Sequence, residues 1–164
     1  MKSQQSGFEF NVYDSVDELE PADAALLKKA QAITHDAYAP YSQFFVGAAA
    51  RLVNGEVVTG TNQENASFPV GICAERALLA SAAAIFPKTA VDTMAISYHN
   101  KNAKGTNNNP ISPCGMCRQA LAEHENIYQR SIRLILGGMG GSVYVIEKAS
   151  LLLPLQFTSD DLGM

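Results

Sequence analysis

The chain has 164 residues, of which 47% are hydrophobic and 17% charged, with a formal net charge of −4 and a pI near 5.3. That length suits one domain with a sizeable core, and the apolar fraction predicts a globular, soluble chain rather than a disordered one. The acidic balance and the lack of any run of Lys or Arg argue against a nucleic-acid surface, and no apolar stretch approaches the roughly 18 residues of a membrane helix.

Residues 1–16 are polar and mixed and read as an N-terminal extension; residues 17–164 read as a single domain. Met1 to Gly7 lacks the apolar run of a signal peptide, which predicts a cytoplasmic location. From Pro21 to about Tyr38 the pattern turns helical. Pro21 suits a first helical turn, Asp23 complements its positive end, and Leu26, Leu27, Ala30, Ile33, His35 and Ala37 supply a mostly apolar face. Val46 to Val53 reads as a strand, Asn54-Gly55 as a hairpin turn and Glu56 to Thr61 as the returning strand. Asn62 to Gly71 is a loop, after which Cys73 opens an Ala- and Leu-rich helix ending near Phe86-Pro87. Val91 to Tyr98 is apolar enough for a buried strand, and the polar stretch Asn100 to Asn109 reads as an exposed excursion. A second such helix runs from about Cys114 to His124, followed by short strands at Ile132–Leu136 and Val143–Ile146 around a Gly-rich turn, Gly137 to Gly141. Leu151 to Phe157 is too apolar for a free tail and should pack on the body or on a neighbouring subunit. This order predicts a three-layer α/β/α domain with a mixed sheet of about five strands.

The chemistry lies in the 3 cysteines. Cys73 stands two residues before Glu75, and Cys114 and Cys117 form a Pro-Cys-x-x-Cys run. Scattered cysteines would read as buried small hydrophobes. Here three thiolates make a zinc site one protein ligand short of a closed tetrahedron, the usual form of a catalytic zinc. Both segments fall at predicted helix N-termini, where the dipole end favours thiolate. Arg76 can offset further sulfur charge from the second coordination layer; as a plain surface arginine it would do nothing. Bound zinc lowers the pKa of a water toward 7, and Glu75 beside it can act as general base and then general acid. Without that role Glu75 would merely complement the helix dipole. A His or Cys two residues before a Glu, followed by Pro-Cys-x-x-Cys, is the signature of zinc nucleobase deaminases. His35, His99 and His124 show no metal spacing with one another.

Five blocks in order resemble the homotetrameric cytidine deaminases of pyrimidine salvage. They are Ala39 to Ala49, Gly60 to Pro69, Gly71 to Arg76, Ser112 to Gln119, and Leu152-Leu153-Pro154 with Phe157. The resemblance implies the deaminase fold, one Zn²⁺ per subunit, and a homotetramer with sites at subunit interfaces. It implies that Asn62 and Glu64 hold the ribose hydroxyls, that Phe44 packs against the pyrimidine, and that Ala74 lies against the substrate. It also implies that Ala66 to Phe68 and Phe157 reach a neighbouring subunit's site. Phe68 replaces a Tyr common in the family, the Asn100 to Asn109 stretch is longer than expected, and the Gly137 to Gly141 turn differs.

The expected reaction is hydrolytic deamination of cytidine and 2′-deoxycytidine to the uridines plus ammonia, by zinc-bound hydroxide with Glu75 as proton shuttle. A free nucleoside is favoured as substrate because no Arg/Lys cluster or Gly-rich phosphate loop accompanies the blocks. Three alternatives stand beside it. A deaminase of an aminonucleoside such as blasticidin S is opposed by the Asn62 and Glu64 pair. An editing enzyme is opposed by the acidic charge. A non-catalytic zinc module would normally have four protein ligands and no need of Glu75.

Overall fold

The computed structural model describes residues 1–163, which fold around one mixed sheet. Nine elements carry the architecture: β1 (Asn11–Tyr13), α1 (Pro21–Ile33), β2 (Phe44–Leu52), β3 (Val57–Thr61), α2 (Ala74–Ile85), β4 (Val91–Asn100), α3 (Gly115–Tyr128), β5 (Arg133–Gly137) and β6 (Val143–Ile146). The strand order is β1-β6-β5-β4-β2-β3; β4 and β5 are parallel and every other neighbouring pair is antiparallel.

Alternation along the central strands sorts the core into two layers. Ala48, Ala50 and Leu52 of β2, Met94 and Ile96 of β4, and Leu134 and Leu136 of β5 join Leu78 of α2 and Leu121 of α3 on one face. Ala49, Ala95 and Ile135, one residue out of phase, meet Leu26, Leu27 and Ala30 of α1 on the other. Each fully buried Leu or Ile contributes about 1.5–3 kcal/mol of transfer free energy. The three-layer α/β/α expectation therefore holds.

Two expectations are corrected. The sheet has six strands rather than about five, because part of the N-terminal extension pairs with β6: Asn11, Val12 and Tyr13 lie opposite Val145, Tyr144 and Val143. The signal was the alternation Phe8-Glu9-Phe10-Asn11-Val12-Tyr13, and Phe10 packs on Tyr144 with ring centroids 5.0 Å apart. The first helix ends at Ile33 rather than near Tyr38. Thr34 to Asp36 tighten into a 3₁₀ turn, in which the Thr34 hydroxyl donates to the Gln31 carbonyl at 2.7 Å. His35 is accordingly exposed, not part of the apolar face.

The Asn54-Gly55 hairpin forms as expected, with Gly55 at φ +89°. It folds β3 back along β2, bringing the Asn62–Gly71 loop to the end of the sheet where α2 begins.

Candidate metal centre

Cys73 is the N-cap of α2 and Cys114 the N-cap of α3; Cys117 lies within the first turn of α3. In each cap the cysteine backbone is extended and its carbonyl accepts the first helical bond, from Ala77 at 3.0 Å and from Arg118 at 2.9 Å. The free backbone N–H groups of two helix starts thus face one point, which favours anionic sulfur there. The Sγ atoms of Cys73 and Cys114 are 3.7 Å apart, those of Cys114 and Cys117 3.3 Å, and all three lie within 4.8 Å of one another. Tetrahedral thiolates about 2.3 Å from zinc stand about 3.8 Å from each other, so the donor set fits the ion.

Charge around the sulfurs is uneven. Hydrogen bonding from the Cys117 thiol, opposed by burial and helped by the Cys114 thiol, lowers Cys73 to about 6. The neighbouring Glu75 charge raises it and Arg76 lowers it. The Cys117 thiol, which donates to Cys73 and is buried, is pushed up. A cation replaces these shared protons, because metal binding requires the thiolate forms. Glu75 follows in the first turn of α2 and is only 5% exposed. Burial raises its carboxyl above the ordinary range, against the opposing hydrogen bonds of its own backbone amide and Cys117.

Beside the cysteines opens a cavity of about 580 Å³, lined among others by Tyr41, Asn62, Glu64, Phe68, Cys73 and Met116. Glu64 Oε2 accepts the backbone N–H groups of Tyr41 at 2.9 Å and Ser42 at 3.3 Å. Burial pushes its carboxyl up, but the Ser42 hydroxyl and these two amides outweigh it and hold it below the usual value. The Asn62 side chain bridges to β2, with Oδ1 accepting from Val46 N–H at 2.7 Å and Nδ2 donating to the Phe44 carbonyl at 2.9 Å.

The structure therefore brings Cys73, Cys114, Cys117 and Glu75 together and puts Asn62 and Glu64 on the adjoining cavity wall. Phe44, Ala66, Ala74 and Phe157 do not line that cavity. Phe44 instead stacks on Tyr98, with centroids 4.9 Å apart and planes 12° from parallel. Ala74, the first residue of α2, is fully buried, Ala66 is exposed, and Phe157 is 57% exposed. Arg76 acts on Cys73 through its charge.

Four contributors escaped the sequence reading. Arg118 donates to the carbonyls of Pro113 at 2.8 Å and Leu152 at 3.0 Å, tying the approach to Cys114 onto the 3₁₀ turn Ala149–Leu152 that follows β6. Gln119 donates to the Phe157 carbonyl at 2.8 Å. Met116, between the paired cysteines, lines the cavity, and Tyr98 backs Phe44. Arg118 and Gln119 directly follow the Cys-x-x-Cys run, but only the packed C-terminal segment reveals their partners.

An α/β/α fold with three convergent sulfurs at paired helix starts and a buried carboxylate one turn away defines a zinc-dependent hydrolytic site. Residues 21–130 match the model of the cytidine and deoxycytidylate deaminase zinc-binding region. A cytidine deaminase of Halalkalibacterium halodurans is 36% identical over 138 residues, covering 84% of this chain and 96% of that protein. One from Mycoplasma pneumoniae is 39% identical over 95 residues, covering 58% and 66%. The crystal structure of cytidine deaminase from Burkholderia pseudomallei superposes with a TM-score of 0.69 at 38% identity, covering 81% of this chain and 97% of that one. The chain belongs to the cytidine and deoxycytidylate deaminase zinc-binding family.

Proposed function

We propose that this protein hydrolyses cytidine and 2′-deoxycytidine to uridine and 2′-deoxyuridine, releasing ammonia, as a step of pyrimidine salvage. The observation that carries this reading is the convergence of Cys73, Cys114 and Cys117 beside buried Glu75, at a cavity walled by Asn62 and Glu64. The relatives named cytidine deaminase support it.

In this reading Cys73, Cys114 and Cys117 hold one zinc ion. The ion, when bound, supplies Lewis-acid activation of a water near neutral pH. Glu75 carries one proton of that water to the ring nitrogen and then the second, taken from the new C4 hydroxyl as it becomes the carbonyl, to the departing amino group. The water oxygen ends on C4, the C4–N bond breaks, and ammonia leaves. Burial suits Glu75 to both halves of that task, since a raised carboxyl gives up and takes a proton closer to neutrality. Glu64, an acceptor held rigidly by two amides, and the second N–H of the Asn62 amide bind the ribose hydroxyls. The reading assigns the pyrimidine contact to Phe44, which stacks on Tyr98 and does not line the cavity in the single chain, and sets the backbone at Ala74 against the base. Arg76 offsets thiolate charge at Cys73.

The reading includes a homotetramer in which Ala66 to Phe68 and Phe157 complete a neighbour's site. Its support is the exposed apolar rim around the cavity: Tyr38, Tyr41, Phe68, Val70 and Met116. Phe68 is 75% exposed in the single chain, a large cost in water for so apolar a residue. Residues 17–164 form the catalytic domain, and the 1–16 extension adds an edge strand to it. No helix among the described residues is long and apolar enough to cross a membrane, and the proposed location is the cytoplasm.

A substrate panel tests the reading. Purified zinc-loaded protein is incubated with cytidine, deoxycytidine, free cytosine and cytidine monophosphate, following loss of the cytosine absorbance band and release of ammonia. The two nucleosides should be consumed much faster than the base or the nucleotide. Turnover confined to the nucleotide, or none at all with zinc bound, contradicts it.

A further inference from the structure

The polar excursion Asn100 to Asn109 and the Gly137 to Gly141 turn, the two segments without an assigned role, are built against each other. The Asn107 side chain closes the base of the excursion, accepting from Asn100 N–H at 3.0 Å, while the Asn107 carbonyl accepts from Met139 N–H. Asn108 lies over the glycines: a Cβ at Gly141, itself at φ +72°, would fall 2.7 Å from the Asn108 carbonyl oxygen. The turn is anchored in turn by Ser97 and Gln31, which both donate to the Gly138 carbonyl at 2.9 Å.

From that anchored base the other end of the excursion reaches the cavity wall. Lys101 N–H donates to the Gln43 carbonyl at 3.0 Å, and Asn102 Nδ2 donates to the Ser42 carbonyl at 3.1 Å. Lys101 Nζ sits 4.6 Å from the centroid of the Phe45 ring. The segment so gripped needs support, because Gln43 is held at φ +56°, a left-handed conformation unfavourable for a residue with a Cβ. It is also the segment whose Tyr41 and Ser42 amides hold the Glu64 carboxylate.

We propose that Asn102 is a positioning residue for nucleoside binding: its side-chain amide fixes the Ser42 carbonyl and so holds Glu64 in place through the Tyr41–Ser42 backbone. This rests on the reading of Glu64 as a ribose-binding group. Asn102 touches no reacting atom and acts only on how well the ribose is held, so its loss should raise KM and spare kcat.

The test uses the full zinc-loaded chain with cytidine. Asn102→Ala removes the donor, Asn102→Asp keeps the shape without the donor, and Asn102→Gln keeps the donor on a longer arm. KM should rise about three- to tenfold in the first two and recover in part in the third, with kcat within about twofold and the thermal midpoint unchanged. An unchanged KM overturns the proposal, as does a fall in kcat that tracks a lowered thermal midpoint. If the wild type itself does not turn over cytidine, the proposed function fails first. Amide exchange at Tyr41 and Ser42 then decides the positioning role: faster exchange in Asn102→Ala supports the grip, and unchanged exchange overturns it.

Discussion

Gly60 on β3 lies directly against Ala74, the residue between the first zinc-binding cysteine and Glu75. A Cβ built on Gly60 would stand 2.6 Å from the Ala74 carbonyl oxygen and 2.6 Å from the Leu78 backbone nitrogen, so only a glycine lets the first turn of α2 seat this deeply. Gly60→Ala must push α2 away from the sheet. We expect a loss of about 1–3 kcal/mol in stability from overpacking. The shift moves Cys73 relative to Cys114 and Cys117, so zinc affinity should fall with it. Urea unfolding and a zinc titration of the variant check both.

Metal removal should act through the cysteines and nowhere else. Cys117 is fully buried and its neighbours in the cluster come from two different helices, so a bound ion would staple α2 to α3. A ligand that binds only the folded state stabilises it by about 2.7 kcal/mol at a free concentration of 100 Kd. Chelation should lower the thermal midpoint of the wild type and leave that of Cys117→Ser, already without zinc, unchanged. Equal midpoints for wild type with and without chelator would contradict the cluster's role.

The two ribose-binding candidates should behave differently on mutation. The amide of Asn62 satisfies the backbone of β2 at Val46 and Phe44, so Asn62→Ala leaves part-buried groups unpaired. It should cost about 1–3 kcal/mol of stability as well as substrate affinity. Glu64 makes only exposed contacts to Tyr41 and Ser42. Glu64→Gln should raise KM for cytidine with little change in thermal midpoint. Steady-state kinetics beside calorimetry separates the two.

Acid should weaken the fold at His124. Burial lowers its pKa against the opposing charge of Glu125, and its Nε2 accepts the Val91 N–H at 3.2 Å, which only the neutral ring can do. The unfolded ring titrates near 6.5 and the folded ring below it. Folding therefore favours the neutral form: the stability is full above about pH 6.5 and is lost as pH falls through the folded value. Urea midpoints of the chelated protein at pH 7.5 and 5 should drop further for wild type than for His124→Gln.

Much of the fold was legible because its signals are local. Asn54-Gly55 dictates a hairpin, and the out-of-phase Ala48, Ala49 and Ala50 mark a strand buried on both faces. The cysteine cluster was legible from the Cys-x-Glu and Pro-Cys-x-x-Cys signature together with the placement of both segments at helix starts. What was hidden depends on distant partners. The β1 strand needs β6 to exist, and its three paired residues carry too weak a pattern in isolation. The stacking of Phe44 on Tyr98 joins strands far apart in sequence, and the Gln119 contact to Phe157 spans 38 positions. The Asn100 to Asn109 excursion read as exposed and polar, and most of it is; its grip on Ser42 and Gln43 follows from the fold alone.

In the proposed function the cysteine cluster and Glu75 together deaminate cytidine. Ammonia release from cytidine by Glu75→Gln, measured beside wild type with zinc content determined in both, tests it most directly. Glu75→Gln keeps the shape and the zinc but cannot move the proton, so the rate should fall by about 10²–10⁴-fold at equal zinc occupancy. A variant that keeps near-wild-type ammonia release with its zinc in place would contradict the account.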